Sequence, residues 1–186
     1  MEDKLKIAVI LGTKREGRIS EHAAQWVAAK GREQEGVEII FVDPRDFTLP
    51  PDGAPEDGTD PRYSAITAQA DAFFIVTPEY NHSFPSSLKR LLDSEFKNYF
   101  HKPVALAGVS NGPWGGTRAV EALLPVMRAL GLAPSRLNLY FPKAQEIFDE
   151  TGAMKPEYAE TYNKSVQGMY DDLIWLARAL KAARAQ

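Results

Sequence analysis

Compact apolar runs of strand length recur along the chain without polar alternation: Ile7 to Leu11, Val37 to Val42 with one charge, and Ala72 to Val76. A run with no polar side suits a strand covered on both faces, as in a parallel sheet. A fourth run, Val104 to Val109, follows Pro103, and a weaker fifth spans Leu137 to Phe141. Between these runs the apolar spacing turns helical. Ser20 is placed to cap a helix whose stripe is Ala23, Ala24, Val27 and Ala28, loosened at Gly31 and Gly36. Pro85 and Ser86 open a second through Leu88, Leu91 and Leu92, and Thr117 caps a third through Val120, Leu123, Leu124, Met127 and Leu130. Pro125 lies inside that third helix and removes one backbone hydrogen bond, which predicts a bend rather than a break. From Pro156 onward, Tyr158, Tyr162, Val166, Met169, Leu173, Leu176 and Leu180 recur at three or four residues and predict a long terminal helix.

Strands alternating with helices predict a doubly wound α/β domain with a five-stranded parallel sheet, spanning residues 1–186 as one unit. Ligands of such sheets bind beyond the carboxyl ends of the strands, near the point where the strand order reverses. The segment Asp43 to Tyr63, with Pro44, Pro50, Pro51, Pro55 and Pro61, reads as an irregular connection with little core burial.

Charge and composition narrow the chemistry. A net charge of −3 gives no field that would gather nucleic acid or an anionic membrane, so neither partner is expected. With no cysteine, disulfides, thiolate metal sites and cysteine nucleophiles are excluded. The histidines at 22, 82 and 101 lack close metal-ligand spacing, and no metal site is expected. The apolar run near the N-terminus stops at Gly12, too short for a signal peptide or a membrane span, and a cytoplasmic location is expected.

Three loops follow predicted strands and open into helices. After the first strand comes Gly12-Thr13-Lys14-Arg15-Glu16-Gly17-Arg18-Ile19-Ser20, which gathers hydroxyls, arginines and a helix start, a setting suited to an anion. A solvated loop with Ser20 as a simple cap is the alternative. The Walker lysine pattern and GxGxxG are both missing, which argues against a P-loop NTPase and an NAD-type fingerprint. After the third strand, Thr77-Pro78-Glu79-Tyr80-Asn81-His82-Ser83-Phe84-Pro85 offers an aromatic face and amide groups to a planar heterocycle, or is an ordinary turn. After the fourth, Ser110-Asn111-Gly112-Pro113-Trp114-Gly115-Gly116-Thr117 carries glycines that imply close backbone approach or positive φ, with a ligand or in a tight turn without one. Trp26 and Trp175 are expected to pack helices.

Together the GTKREGRIS, TPEYNHSFPSSLK and SNGPWGGTRA segments resemble the NADPH-dependent FMN reductase family across most of the chain, with Thr13 in place of the usual serine. The resemblance implies a flavodoxin-like fold, strand order 2-1-3-4-5, in which the three loop-bearing strand ends are neighbours. It implies that Thr13, Arg15 and Ser20 hold an FMN phosphate with Arg18 and Ile19 nearby, that Pro78, Glu79, Tyr80 and Asn81 contact the isoalloxazine ring, and that Ser110, Asn111, Gly112, Gly115 and Gly116 complete the ring site. It further implies NADPH or NADH as cosubstrate, a small acceptor such as a flavin, quinone, azo compound or metal oxyanion, and a homodimer or homotetramer. Hydride transfer depends on positioning, so no catalytic side chain is assigned. A flavodoxin-type electron carrier without nicotinamide turnover is the rival, disfavoured by Arg15, Arg18 and the small net charge. A phosphoacceptor domain would need carboxylates at the ends of the first and third strands, which are absent. Phe96, Tyr99 and Phe100, just beyond the helix after Pro85, are expected at a dimer interface, with packing under their own sheet as the alternative.

Overall fold

A computed structural model describes residues 4–49 and 60–186. Its five parallel strands are β1 (Leu5–Leu11), β2 (Val37–Val42), β3 (Ala72–Pro78), β4 (Pro103–Val109) and β5 (Ala133–Phe141), paired in the order β2-β1-β3-β4-β5. The helices are α1 (Ser20–Arg32), α2 (Pro61–Gln69), α3 (Ser86–Asp93), α4 (Thr117–Ala129), the short α5 (Ala144–Ile147) and α6 (Pro156–Arg184). The expected flavodoxin-like doubly wound sheet is therefore present.

The central strands are apolar on both faces because each face carries its own core. Ile7, Val9 and Leu11 of β1 pack with Ala24 and Val27 of α1 and with Met169, Tyr170 and Leu173 of α6. Their neighbours Ala8 and Ile10 point the other way, into a cluster with Leu88 and Leu91 of α3 and Val120, Leu123 and Met127 of α4. Alternate side chains of a strand leave on opposite sides, so a strand between two helical layers has no position left for a polar residue. Pro125 lies inside α4 without ending it.

Four expectations are corrected. Ser20 and Thr117 do not cap their helices: each is the first helical residue, the N-caps are Ile19 and left-handed Gly116, and neither has a side-chain cap bond. The Asp43 to Tyr63 segment, of which residues 50–59 lie outside the described part, is less peripheral than expected: Phe47 and Tyr63 are buried, and Asp60 caps α2 by accepting from the Arg62 amide. Tyr99 is fully buried, its hydroxyl 2.6 Å from that of Tyr63, so it belongs to the core; Phe96 and Phe100 remain partly exposed, ring centroids 4.9 Å apart. Trp26 packs edge-on against Phe141 and Tyr162 as expected, but Trp175 is 68% exposed. Among the described residues no helix is long and apolar enough to cross a membrane.

Candidate functional site

The carboxyl ends of β1, β3 and β4 lie side by side, and their three loops line a cleft. Close backbone contact starts it. A Cβ on Gly12 would lie 2.8 Å from Thr77 Cα, so only glycine lets the end of β1 rest on the end of β3. The Gly12 amide completes the ladder by donating to Val76 O at 2.8 Å. Thr13, buried, brings its Oγ1 to 3.2 Å from the Tyr80 hydroxyl and accepts from the Arg15 amide, tying the first loop to the one after β3. The Arg15 guanidinium sits 5.6 Å from the Tyr80 ring centroid, within cation–π range, and has no ion-pair partner among the described residues.

Arg18 behaves differently. Its side chain is 1% exposed, and all three guanidinium nitrogens are engaged: Nη1 donates to Thr13 O, Nη2 to Asp43 Oδ2, and Nε to Glu21 Oε2 at 3.2 Å. Arg45 donates to the same Asp43 oxygen at 3.0 Å and approaches Glu21 at 3.4 Å, so two arginines and two carboxylates cancel. Burial alone would raise the Asp43 pKa, but the hydrogen bonds from Arg18 and Arg45 outweigh it and hold the carboxyl below its usual range. Thus Arg18 borders the cleft while its charge is spent beneath the loop.

A cavity of about 320 Å³ lies between the loops, lined by Arg15, Arg18, Ile19 and Ser20 on one side and by Pro78, Glu79, Tyr80, Ser110 and Asn111 on the other. At its floor, Ser20 Oγ is buried and has no hydrogen-bond partner among the described residues. Ser20 begins α1, where the helix dipole is positive; the next two amides, of Glu21 and His22, already donate to Arg18 O and Ile19 O at 3.0 Å each. An orphan hydroxyl and an unpaired arginine beside a helix start together form a set of donors awaiting an acceptor.

Beyond β3, Tyr80 and Ser83 exchange backbone bonds of 2.8 and 3.0 Å around Asn81 (φ 49°) and His82 (φ 66°). Two consecutive left-handed residues between paired neighbours make a type I′ hairpin turn. Both line a second opening of about 380 Å³, shared with Ser110, Asn111, Gly112, Trp114 and Arg118, and Glu79 borders both openings. The Glu79 carboxylate accepts from the Arg118 amide and pairs with Arg118 Nη1, each at 3.1 Å. Through this contact the loop after β3 supplies the cap that Gly116 and Thr117 do not give α4.

After β4, Ser110, Asn111 and Gly112 are locked from the far side. Ala144 N donates to Ser110 O, Gln145 Nε2 to Asn111 O, and Lys143 N to Gly112 O. A Cβ on Gly112 would meet nothing within 4 Å, so its backbone is open to a ligand. Gly115 and Gly116 have positive φ as expected, 61° and 83°, but border neither opening. A Cβ on Gly116 would lie 2.5 Å from Val109 N, and one on Gly115 would lie 2.9 Å from Tyr140 Cβ. They are glycine because the turn packs closely onto β4 and β5.

Of the residues singled out in the sequence, the structure groups all but Thr13, Gly115 and Gly116 along the two openings, with Thr13 one contact behind through Tyr80. Sequence reading passed over His82, Trp114 and Arg118 at the second opening, and Asp43 beneath the first. The signal for Asp43 was its position, an acid immediately after a strand whose carboxyl end faces the arginine-bearing loop.

The sequence profile of the NADPH-dependent FMN reductase family matches residues 5–146. The chain is 31% identical over 150 residues to an NAD(P)H-dependent FMN reductase of Schizosaccharomyces pombe, with 74% of each chain covered. It is 28% identical over 187 residues to the NAD(P)H-dependent FMN reductase PA1204 of Pseudomonas aeruginosa, covering 96% of this chain and 98% of that one. Among solved structures, FerB of Paracoccus denitrificans, a flavoenzyme NAD(P)H:(acceptor) oxidoreductase, shares the fold at a TM-score of 0.74 and 20% identity, over 94% of this chain and 98% of that one.

Proposed function

Because the chain belongs to the NADPH-dependent FMN reductase family, we propose that it is an FMN-dependent oxidoreductase that takes electrons from NADPH or NADH and passes them to a small acceptor. When bound, FMN would supply the redox chemistry, accepting hydride from the nicotinamide and releasing electrons to a second substrate. The observation that carries the reading is the buried, unpartnered Ser20 hydroxyl at the start of α1, in a residue that lines the same cleft as Arg15. Such a set fits a phosphate, which accepts several hydrogen bonds and bears the charge the helix end favours.

The chain's own residues divide the work of holding such a ligand. Arg15 and Ser20, at the positive end of α1, take the phosphate, while Thr13 sets the Tyr80 hydroxyl that walls the cleft. Tyr80, Asn81 and the exposed backbone at Gly112 border the space for a planar ring. The Glu79–Arg118 contact fixes the loop after β3 against α4 and keeps the two sides of that space in register. Hydride transfer needs donor and acceptor atoms held roughly 3–3.5 Å apart, so these residues position rather than donate or accept protons.

We further propose a homodimer or homotetramer in which the exposed edge bearing Phe96 and Phe100 is covered by another copy; light scattering at micromolar concentration that reports a monomer would refute it. The function itself is tested by the purified protein's visible absorption. Bound oxidised flavin should colour it yellow and anaerobic NADPH or NADH should bleach it. A colourless protein that ignores added FMN overturns the reading.

A further inference from the structure

Arg18 lies in the loop read as the phosphate site, yet its guanidinium faces away from solvent and is consumed by Thr13 O, Asp43 and Glu21. We propose that Asp43, at the end of β2 and outside the cleft, is a positioning residue that sets FMN selectivity by holding Arg18 as a strut beneath the phosphate loop. The inference rests on the FMN reading of the cleft.

Asp43 is fixed from both sides. Its Oδ1 accepts from the Arg45 amide at 2.9 Å as the cap of the short 3-10 turn Pro44–Asp46, and its Oδ2 faces Arg18 and Arg45 together. β2 pairs with β1 through Ile10↔Val42, so the residue after β2 lies beside the end of β1 by sheet register, not by chance of a flexible loop. From there the path to the site is short. Arg18 Nη1 grips the carbonyl of Thr13, and Thr13 Oγ1 in turn accepts from the Arg15 amide and meets the Tyr80 hydroxyl. Arg18 is also followed directly by Ile19 and Ser20, the N-cap and first residue of α1. One guanidinium therefore braces the loop at both ends of the segment that carries Arg15, and Asp43 braces the guanidinium.

The network also decides which arginine meets the ligand. With Arg18 and Arg45 matched against Asp43 and Glu21, no net charge from this group reaches the cleft, and Arg15 keeps its own. Loss of the Asp43 charge would leave a guanidinium with 1% side-chain exposure answered by Glu21 alone. The loop would then rearrange toward water or toward the site, and the donors facing a phosphate would lose their preset geometry. Preorganised groups bind more tightly because less ordering remains for the ligand to impose.

The test is flavin affinity of Asp43→Asn measured against two ligands that share a ring and differ in phosphate. Asparagine keeps the side-chain shape and the oxygen that accepts from the Arg45 amide. FMN affinity should fall at least tenfold, riboflavin affinity should change less than threefold, and Asp43→Glu, which restores the charge one methylene further out, should recover part of the FMN preference. Circular dichroism establishes that each variant is folded; if Asp43→Asn is not, Asp43→Glu alone must show the same selective loss, smaller in size. Unchanged FMN affinity overturns the proposal, and so does an equal loss for both flavins, which would mean a general loosening of the fold. If the unaltered protein binds neither flavin, the FMN reading fails and the role of Asp43 with it; if it binds FMN and Asp43→Asn binds equally well, only the role of Asp43 fails.

Discussion

Replacing Ser20 by alanine should weaken FMN binding without weakening the fold, and the two signs together test whether this hydroxyl belongs to a ligand. The side chain is 2% exposed and its oxygen has no partner among the described residues. A buried hydroxyl without a partner costs about 1–3 kcal/mol. Alanine removes that cost. The unliganded variant should therefore melt at the same temperature or slightly higher. Had Ser20 been the N-cap that its sequence position suggests, alanine would cost about 0.5–2 kcal/mol and the melting temperature would fall. Binding should move in the opposite direction. A hydrogen bond to a charged group contributes about 1.5–3 kcal/mol, which at 1.4 kcal/mol per decade is a loss of roughly 10- to 150-fold in FMN affinity. Riboflavin, lacking the phosphate, should bind both proteins alike. Calorimetry on the flavin-free protein and quenching of flavin fluorescence supply the two measurements. A variant that is destabilised, or that keeps full FMN affinity, would refute the assignment of Ser20 to the phosphate.

Arg15→Ala should lower FMN affinity more than tenfold, because a charge-assisted contact is lost, with unfolding free energy unchanged within about 0.5 kcal/mol as for other exposed positions; a flavin titration matching the unaltered protein would contradict the role. Gly116→Val should lower the melting temperature by several degrees, since φ is 83° and a Cβ would lie 2.5 Å from Val109 N. Gly112→Ala, with open space around its Cβ, should leave melting unchanged, and the reverse ranking would show that the packing of this turn has been misread. Lys102 is buried, donates to Thr67 O and Ala68 O, and has its pKa brought down to about 8 by burial and by the Arg184 charge. Between about pH 8 and 10.5 the unfolded chain keeps the proton that the folded chain has lost, so stability from this group rises with pH over that window. Urea unfolding at pH 7 and pH 10 should show the unaltered protein gaining relative to Lys102→Met; a constant or reversed difference would refute it.

What the sequence disclosed follows from how far each element's role is local. β1, β3 and β4 are legible because both faces are covered, so apart from Lys6 near the start of β1 and Thr77 near the end of β3 each residue reports its burial by being apolar. β5 lies at the sheet edge, and its polar residues Ser135 and Arg136 hid its first four residues, of which Ala133 and Pro134 pair with β4 before an irregularity in register. α2 was missed for a related reason: it buries only Tyr63 and Thr67, and its start signals, Asp60 and Pro61, are also the residues of turns. The grouping of three loops was legible because strand order alone makes the ends of β1, β3 and β4 neighbours. The partners within those loops were not. Arg18 finds Asp43, 25 residues away, and Glu79 finds Arg118, 39 away, and both choices depend on distances that only the assembled sheet fixes.

Those two pairings give the cleft its polarity. Arg18 is neutralised beneath the first loop and Glu79 is neutralised by Arg118 beside the second opening, so the buried charges nearest the cleft cancel at both ends. What remains at the α1 end is Arg15 with the positive end of the helix dipole, opposed by the exposed Glu16 on the same lining, and what remains at the other is Asn81, His82, the Gly112 backbone and Trp114. A ligand with an anion at one end and an uncharged planar ring at the other therefore has one favourable orientation, since reversing it would move the charge from a cationic helix start to an uncompensated amide and aromatic surface. FMN has that form, and a flavin without phosphate does not. Selectivity between the two then depends on a local field at α1 rather than on net charge, which at −3 would repel an anion weakly at long range. Salt should accordingly weaken FMN binding through screening of Arg15, while leaving riboflavin binding nearly constant.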